Sequence, residues 1–252
     1  MIDGLEKFRS HFAPFSDRYV LIGGAAASLV IEDLGGEFRT TKDLEIVLVL
    51  EALDRAFAKA FREFVRMGGY EHRQTATGRR QFYRFHKPAE RDFPFMLELF
   101  SRVPDALELR TETGLTPIPV EDELASLSAI LMDEAYYRFV LRQRTMIGGV
   151  PVIPAEALIP LKARAYTDLS QRRAEGQAVD SKHIKKHLRD VFRLYAVLSP
   201  QKSIEPPDAI KEHLRHAFSQ MRRESIELRS LGLSSTTPEA ILNELSMFFQ
   251  IG

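Results

Sequence analysis

The chain has 252 residues, 44% of them hydrophobic and 28% charged, which is enough for one large or two modest domains with a sizeable core. The formal net charge is zero, so bulk charge does not indicate a nucleic-acid partner, and any basic surface must be local. Because cysteine is absent, a disulfide framework, a cysteine-ligated zinc site and a thiol nucleophile are excluded.

Targeting and membrane signals are missing from the sequence. The first residues, MIDGLEKFRS, do not combine a charged segment with an apolar run, as a signal peptide does. No uninterrupted apolar run approaches the roughly 18–20 residues that span a bilayer. We therefore expect a cytoplasmic protein without a membrane partner.

Strand and helix patterns alternate in the first part of the chain. Apolar runs predict strands at 19–22, 44–50, 70–74, 81–86 and 95–100. Helical periodicity predicts helices at 25–32, 53–67 and 134–144. The polar TATGRR stretch predicts a hairpin turn, and the prolines of 101–155, including the PIPV segment, predict short extended pieces and loops.

The last part of the chain has only helical patterns. They predict helices at 156–174, 181–198, 207–229 and 238–249. The fold class is therefore α/β (α+β), with an α/β domain at 1–153 followed by a helical domain at 154–252.

Carboxylates interrupt two of the predicted apolar strands. Asp43 and Glu45 are two residues apart, so they share one face of their strand, and Glu98 lies within the apolar segment FMLELF. A buried carboxylate without a partner costs several kcal/mol. Water at a strand edge, Arg or Lys partners, or Mg²⁺, which prefers oxygen ligands, would each satisfy these side chains.

Two glycines precede these acids. Gly23 and Gly24 follow the strand YVLI and lead into a predicted helix, whose free N–H groups suit a phosphate. Such a pair more often only makes a turn, and neither a Walker loop nor a GxGxxG fingerprint occurs in the chain.

The predicted elements follow in the order strand, Gly23-Gly24, helix, a second strand with RxTxDLE, and a later strand with an isolated acid. This order resembles the DNA polymerase β-like nucleotidyltransferase superfamily. The sequence GGAAASL followed by RTTKDLE is similar to the AbiEii-type branch, toxins of abortive-infection and MenT-like toxin–antitoxin systems. The resemblance implies a small mixed sheet with flanking helices and transfer of NMP from an NTP.

The resemblance also implies roles for the residues of the α/β domain. Gly23, Gly24 and Thr41 would bind the nucleotide, with the two glycines holding its triphosphate. The metal ions, Mg²⁺ or Mn²⁺, would be bound by three carboxylates: Asp43, Glu45 and Glu98. Glu98 would also help to activate the attacking hydroxyl. Glu45 departs from the family pattern, in which Asp is commoner at this position.

In the helical part, the resemblance implies that Lys162 contacts nucleotide phosphate and that Asp180 completes the site. The residues alone leave alternatives open. Lys162 lies on or beside the apolar face of its helix, where a long side chain can also reach water. Asp180 precedes SKHIKKHL, as a normal helix cap does.

Three function classes remain open from the sequence. The resemblance favours a toxin that modifies RNA, such as a tRNA 3′ end, and implies a cognate antitoxin. Segment 182–193 is basic and could follow RNA phosphates, although such a run is usually a solvated helix face. A non-catalytic nucleotide- or partner-binding protein and an antibiotic nucleotidyltransferase are the alternatives.

Overall fold

The computed structural model describes residues 2–74, 80–102, 115–117, 128–199 and 204–252. The predicted TATGRR turn, apart from Arg80, and residues 118–120 of the PIPV segment lie outside this part. The chain divides into two compact units, Met1–Ile153 and Pro154–Gly252. The first unit is mixed α/β and the second is helical, which confirms the predicted fold class.

The described strands of the first unit form one mixed sheet. Seven of them follow the order β3-β4-β5-β2-β1-β9-β8, while β7 pairs with β5 and β6 pairs with β7. The central pair β2 and β5 is parallel, whereas β1 and β4 run antiparallel to their neighbours β2 and β5. The strands are β1 Tyr19–Ile22, β2 Asp43–Leu48, β3 Glu71–Gln74, β4 Arg80–His86, β5 Met96–Ser101, β6 Leu115–Pro117, β7 Ser128–Leu131, β8 Thr145–Ile147 and β9 Val150–Val152.

Four α-helices are described in this unit: α1 Leu5–Phe12, α2 Gly23–Asp33, α3 Arg55–Gly68 and α4 Glu134–Arg142. The sequence patterns did not predict α1. They predicted the start of α2 at residue 25, two residues late, whereas the observed helix includes both Gly23 and Gly24. Asp54 caps α3 by accepting a hydrogen bond from the Phe57 N–H, at 2.8 Å.

An aromatic cluster holds α1 and α3 against β1. The Phe12 ring lies 4.5–6.1 Å, between centroids, from the rings of Phe8, Tyr19, Phe57, Phe61 and Phe64. All six side chains are buried. Each such aromatic pair contributes roughly 0.5–1.5 kcal/mol of stabilising free energy beyond that of its buried area. The cluster therefore stabilises the packing of α1 and α3 on the sheet.

The described α-helices of the second unit are α5 Ala155–Ala174, α6 Ser181–Tyr195, α7 Asp208–Met221 and α8 Pro238–Phe248. Helix α5 packs against α6 and α7. The prediction of one helix over 207–229 is wrong in length. Residues 222–225 are all exposed, so continuing the helix there would bury no apolar side chain.

Helix α5 begins at Ala155, so Pro160 lies in its second turn, where it cannot donate a hydrogen bond to the carbonyl of Glu156. Within the described residues, no helix combines the length and the apolar character that crossing a membrane requires.

Candidate active site

The register of four neighbouring strands brings the end of β1 into one row with two acids and an arginine. Ile22 of β1 pairs with Glu45 of β2, Glu45 pairs with Glu98 of β5, and Glu98 pairs with Arg84 of β4. Register partners on adjacent strands point to the same side of a sheet. The side chains of Glu45 and Glu98 therefore lie beside each other on one face.

Asp43 and Thr41 lie next to this row. Asp43 begins β2, two residues before Glu45 and hence on the same face, and its side chain is half-buried. On the opposite face, Leu44 and Ile46 are fully buried and anchor the strand in the core. Thr41 is buried against Gly24, because a Cβ added to that glycine would lie 2.8 Å from the Thr41 Oγ1.

The carboxylate of Glu45 rests on the glycine turn between β1 and α2. Its Oε2 accepts a hydrogen bond of 2.8 Å from the Gly24 N–H. Gly23 has a φ of 68°, and a Cβ built there would fall 1.4 Å from the same oxygen. Glycine is therefore required at position 23 both for its backbone conformation and for the space that the carboxylate fills.

Glu98 is buried and paired with Arg84. The Nε of Arg84 donates to the Glu98 Oε1 at 2.7 Å, and a terminal nitrogen of the guanidinium contacts the same oxygen. Burial raises the pKa of Glu98 above its ordinary value, and the charges of Glu45 and Asp43 act in the same direction. The Arg84 guanidinium opposes this rise without cancelling it.

The three carboxylates are oxygen donors of the kind that Mg²⁺ prefers, and the strand register places them on one face. In the described part of the chain, however, no group of three His, Asp or Glu side chains is arranged to hold a metal ion. Two of the carboxylates are engaged elsewhere, Glu45 by the Gly24 N–H and Glu98 by Arg84. By type and backbone position the residues fit a divalent cation, and binding requires their side chains to turn.

In the helical unit, Lys162 belongs to a buried charge cluster. Its Nζ lies 3.5 Å from the Asp190 Oδ2, and both side chains are buried. The guanidinium of Arg193 lies 3.7 Å from the other oxygen of Asp190. The alternative of a surface lysine with its amine in water is therefore excluded for Lys162.

Asp180 is at the N-cap of α6, where its carboxylate accepts a hydrogen bond of 2.9 Å from the Lys182 N–H. The side chain is exposed. Asp180 therefore caps α6, which is one of the two functions that the sequence allowed for it. Its function in the active site stays a prediction.

A basic stripe runs along the outer side of α6. It consists of Lys182, Lys185, Lys186, Arg189 and Arg193, which fall within an arc of about 100° on an ideal helix. Lys182, Lys185 and Arg189 are exposed, and the other two are half-buried. The single acid of segment 182–193, Asp190, is buried and lies 3.7 Å from the Arg193 guanidinium, so α6 exposes no carboxylate beside the stripe.

Sequence reasoning missed two residues of these clusters, Arg84 and Asp190. Arg84 stands in RQFYRFH, where only the pairing of β4 with β5 reveals Glu98 as its neighbour. Asp190 carried a weak signal, since it is followed by Val191 and Phe192 and was noted only as an acid within a basic segment.

Comparison with known proteins identifies a family. A family model described as "Nucleotidyl transferase AbiEii toxin, Type IV TA system" matches residues 8–248. Among solved structures, the chain is similar to the crystal structure of JHP933 from Helicobacter pylori, with a TM-score of 0.42 and 13% sequence identity. That alignment covers 98% of this chain and 88% of JHP933. No curated protein matches the sequence.

Proposed function

Because the chain belongs to the AbiEii nucleotidyl transferase toxin family of type IV toxin–antitoxin systems, we propose that it transfers NMP from an NTP to a hydroxyl group of RNA, specifically at a tRNA 3′ end. One observation carries the chemical part of this proposal. Glu45 and Glu98 are register partners on adjacent parallel strands, with Asp43 two residues before Glu45 and the Gly23-Gly24 turn beside them.

We assign binding functions to the residues of this face. The nucleotide phosphates would lie at the N-terminus of α2, against the backbone of Gly23 and Gly24 and beside Thr41. Asp43, Glu45 and Glu98 would hold Mg²⁺ or Mn²⁺. Such an ion supplies positive charge that offsets the charge developing on the phosphate oxygens.

In the proposed reaction, the acceptor oxygen bonds to the α-phosphorus, and the bond from that phosphorus to pyrophosphate breaks. The proton of the acceptor hydroxyl passes to Glu98. Its raised pKa makes Glu98 a stronger base than an exposed carboxylate. Arg84 keeps one oxygen of Glu98 in place, and we assign the proton transfer to the other oxygen.

The basic stripe of α6 supports a nucleic-acid acceptor. Lysine and arginine side chains spaced along a helix neutralise successive phosphates and release counterions. The stripe spans 12 residues from Lys182 to Arg193, or about 16 Å along the helix axis. An RNA backbone fits this length and charge better than a small antibiotic does. The cytoplasm, where tRNA and NTPs meet, is the location we propose.

The test is incubation with each α-labelled NTP, Mg²⁺ and total RNA, with Asp43→Ala as the matched inactive form. We expect label on RNA with the wild type only, and unchanged thermal unfolding of Asp43→Ala. Label on an aminoglycoside instead of RNA would favour the antibiotic enzyme, and nucleotide binding without any transfer would favour the binding protein. Growth toxicity that persists in Asp43→Ala would refute the assignment.

We further propose that a cognate antitoxin counteracts this chain, since its family belongs to toxin–antitoxin systems. Expression of the chain alone should slow growth, and co-expression of the neighbouring gene should restore it. Restoration by an unrelated control gene would contradict this proposal.

A further inference from the structure

Glu45 occupies the place that the proposed function assigns to a phosphate. Its Oε2 accepts the Gly24 N–H at 2.8 Å and fills the space above Gly23. The N-cap residue of α2, Ile22, makes no side-chain hydrogen bond that caps the helix. The carboxylate of Glu45 therefore acts as the anion at this helix end, supplied by the neighbouring strand.

A carboxylate and a phosphate oxygen compete for the same backbone donor. The N–H groups at a helix N-terminus attract negative charge of either kind. While Glu45 holds the Gly24 N–H, a free phosphate must displace it. It must also approach the charges of Asp43 and Glu98, against the attraction of the Arg39 guanidinium, which lies 3.5 Å from a Cβ built on Gly24. A phosphate that arrives with a divalent cation brings positive charge to the same three carboxylates.

The length of Glu45 is what permits this contact. Aspartate, with one methylene fewer, is shorter by about 1.5 Å. Over an unchanged backbone, its oxygen would lie beyond hydrogen-bond distance of the Gly24 N–H. The departure from the commoner Asp at this position thus has a structural consequence, namely a carboxylate that reaches the glycine turn.

We propose that Glu45 makes the Gly23-Gly24 turn selective for cation-bound triphosphate over free anions, by holding the Gly24 N–H until a cation draws its carboxylate away. This inference rests on the proposed function, since it assumes that the turn receives the triphosphate. It adds that Glu45 excludes metal-free phosphates as well as binding the metal.

The experiment measures binding of inorganic triphosphate by calorimetry, once in EDTA and once in Mg²⁺. Glu45→Gln removes the charge but keeps the shape, and Glu45→Asp keeps the charge but withdraws it from Gly24. Asp43→Asn is the matched control, because it removes one charge from the same face and leaves the Glu45 carboxylate in place. Thermal unfolding establishes that each variant is folded.

In EDTA we expect both Glu45 variants to bind triphosphate at least ~10-fold more tightly than the wild type. A gain of this size corresponds to the loss of one charge-assisted hydrogen bond, here from the Gly24 N–H to Glu45, that competes with the ligand. Asp43→Asn should gain less than ~3-fold, because only long-range repulsion is relieved. In Mg²⁺ the wild type should bind at least as tightly as the variants.

A second readout does not depend on ligand binding. The amide proton of Gly24 in ¹⁵N-labelled protein should move upfield in Glu45→Asp, because it loses a carboxylate acceptor, and should stay in place in Asp43→Asn. An unchanged Gly24 resonance in Glu45→Asp would overturn the proposal.

The outcomes separate this inference from the proposed function. If no form binds triphosphate with or without Mg²⁺, the proposed function fails and the inference fails with it. If the wild type binds only with Mg²⁺ and the Glu45 variants gain nothing in EDTA, the inference alone is overturned. An equal gain in Asp43→Asn also overturns it, since general repulsion would then explain the selectivity.

Discussion

The Nζ of Lys162 lies 3.5 Å from the Asp190 carboxylate, and the two side chains are 4% and 0% exposed. A buried ion pair of this kind ties α5 to α6. Removing one member of a buried pair is costly, whereas replacing both by apolar groups is often neutral. The pair therefore allows the stability of the helical unit and the predicted phosphate contact of Lys162 to be tested separately.

Lys162→Met alone should lower the free energy of unfolding by about 3 kcal/mol, the low end of the range for a broken buried pair. Asp190 loses its buried partner, and Arg193, 3.7 Å away, compensates in part. The double variant Lys162→Met/Asp190→Leu should recover most of this loss in urea unfolding. If Lys162 contacts the nucleotide, the double variant stays inactive in NMP transfer despite its restored stability. Recovery of activity together with stability would assign Lys162 a structural function only.

Arg84→Gln should slow transfer, most strongly at acidic pH, with a smaller loss in Arg84→Lys. The guanidinium lowers the pKa of Glu98, so its removal lets the pKa rise further and leaves less of the ionised base. The ascending limb of the pH–rate profile should accordingly move to higher pH. A slower Arg84→Gln with an unshifted profile would contradict this explanation.

Glu98 should make folding less favourable as the pH rises. Its folded-state pKa is raised, so its stabilising contribution is complete below the unfolded value of about 4.3 and is lost as the pH increases through the folded value. Glu98→Gln cannot titrate. Urea unfolding in EDTA should therefore show the variant gaining stability relative to the wild type as the pH rises from about 4. A pH-independent difference would refute this prediction.

Asp180→Ala should lower stability by about 1 kcal/mol, through loss of the α6 cap. Asp180→Ser keeps a capping side chain but removes the carboxylate. If Asp180 completes the active site, as the family resemblance implies, the Ser variant loses transfer while its thermal unfolding is unchanged. Full transfer activity in Asp180→Ser would limit Asp180 to capping.

The basic stripe of α6 should contribute to RNA affinity and to its salt dependence. Lys182→Gln/Arg189→Gln removes two exposed cations, and the slope of log affinity against log salt should fall by roughly 1.4–1.8. The matched control is Lys59→Gln/Arg66→Gln, which removes one exposed lysine and one exposed arginine from α3. Equal effects of the two pairs would show that the stripe is not a specific RNA contact.

Local patterns predicted most elements because they depend on neighbours in the chain. The apolar residues of β2, with Leu44 and Ile46 on one face and the acids on the other, follow the two-residue period of a strand. The helical unit follows the 3.6-residue period. Helix α1 was missed, although Phe8 and Phe12 are buried. These two rings pack against aromatic rings of β1 and α3, and such contacts between distant segments are not visible in the local sequence.

The sequence by itself determined that Asp43 and Glu45 share a strand face, that a glycine turn precedes them, and that an α/β part gives way to helices. Only the tertiary structure decided which groups these side chains meet: Gly24 for Glu45, Arg84 for Glu98 and Asp190 for Lys162. The physical reason is that strand register and helix packing are set by contacts between distant segments, and charges only a few ångströms apart in space need not be near in sequence.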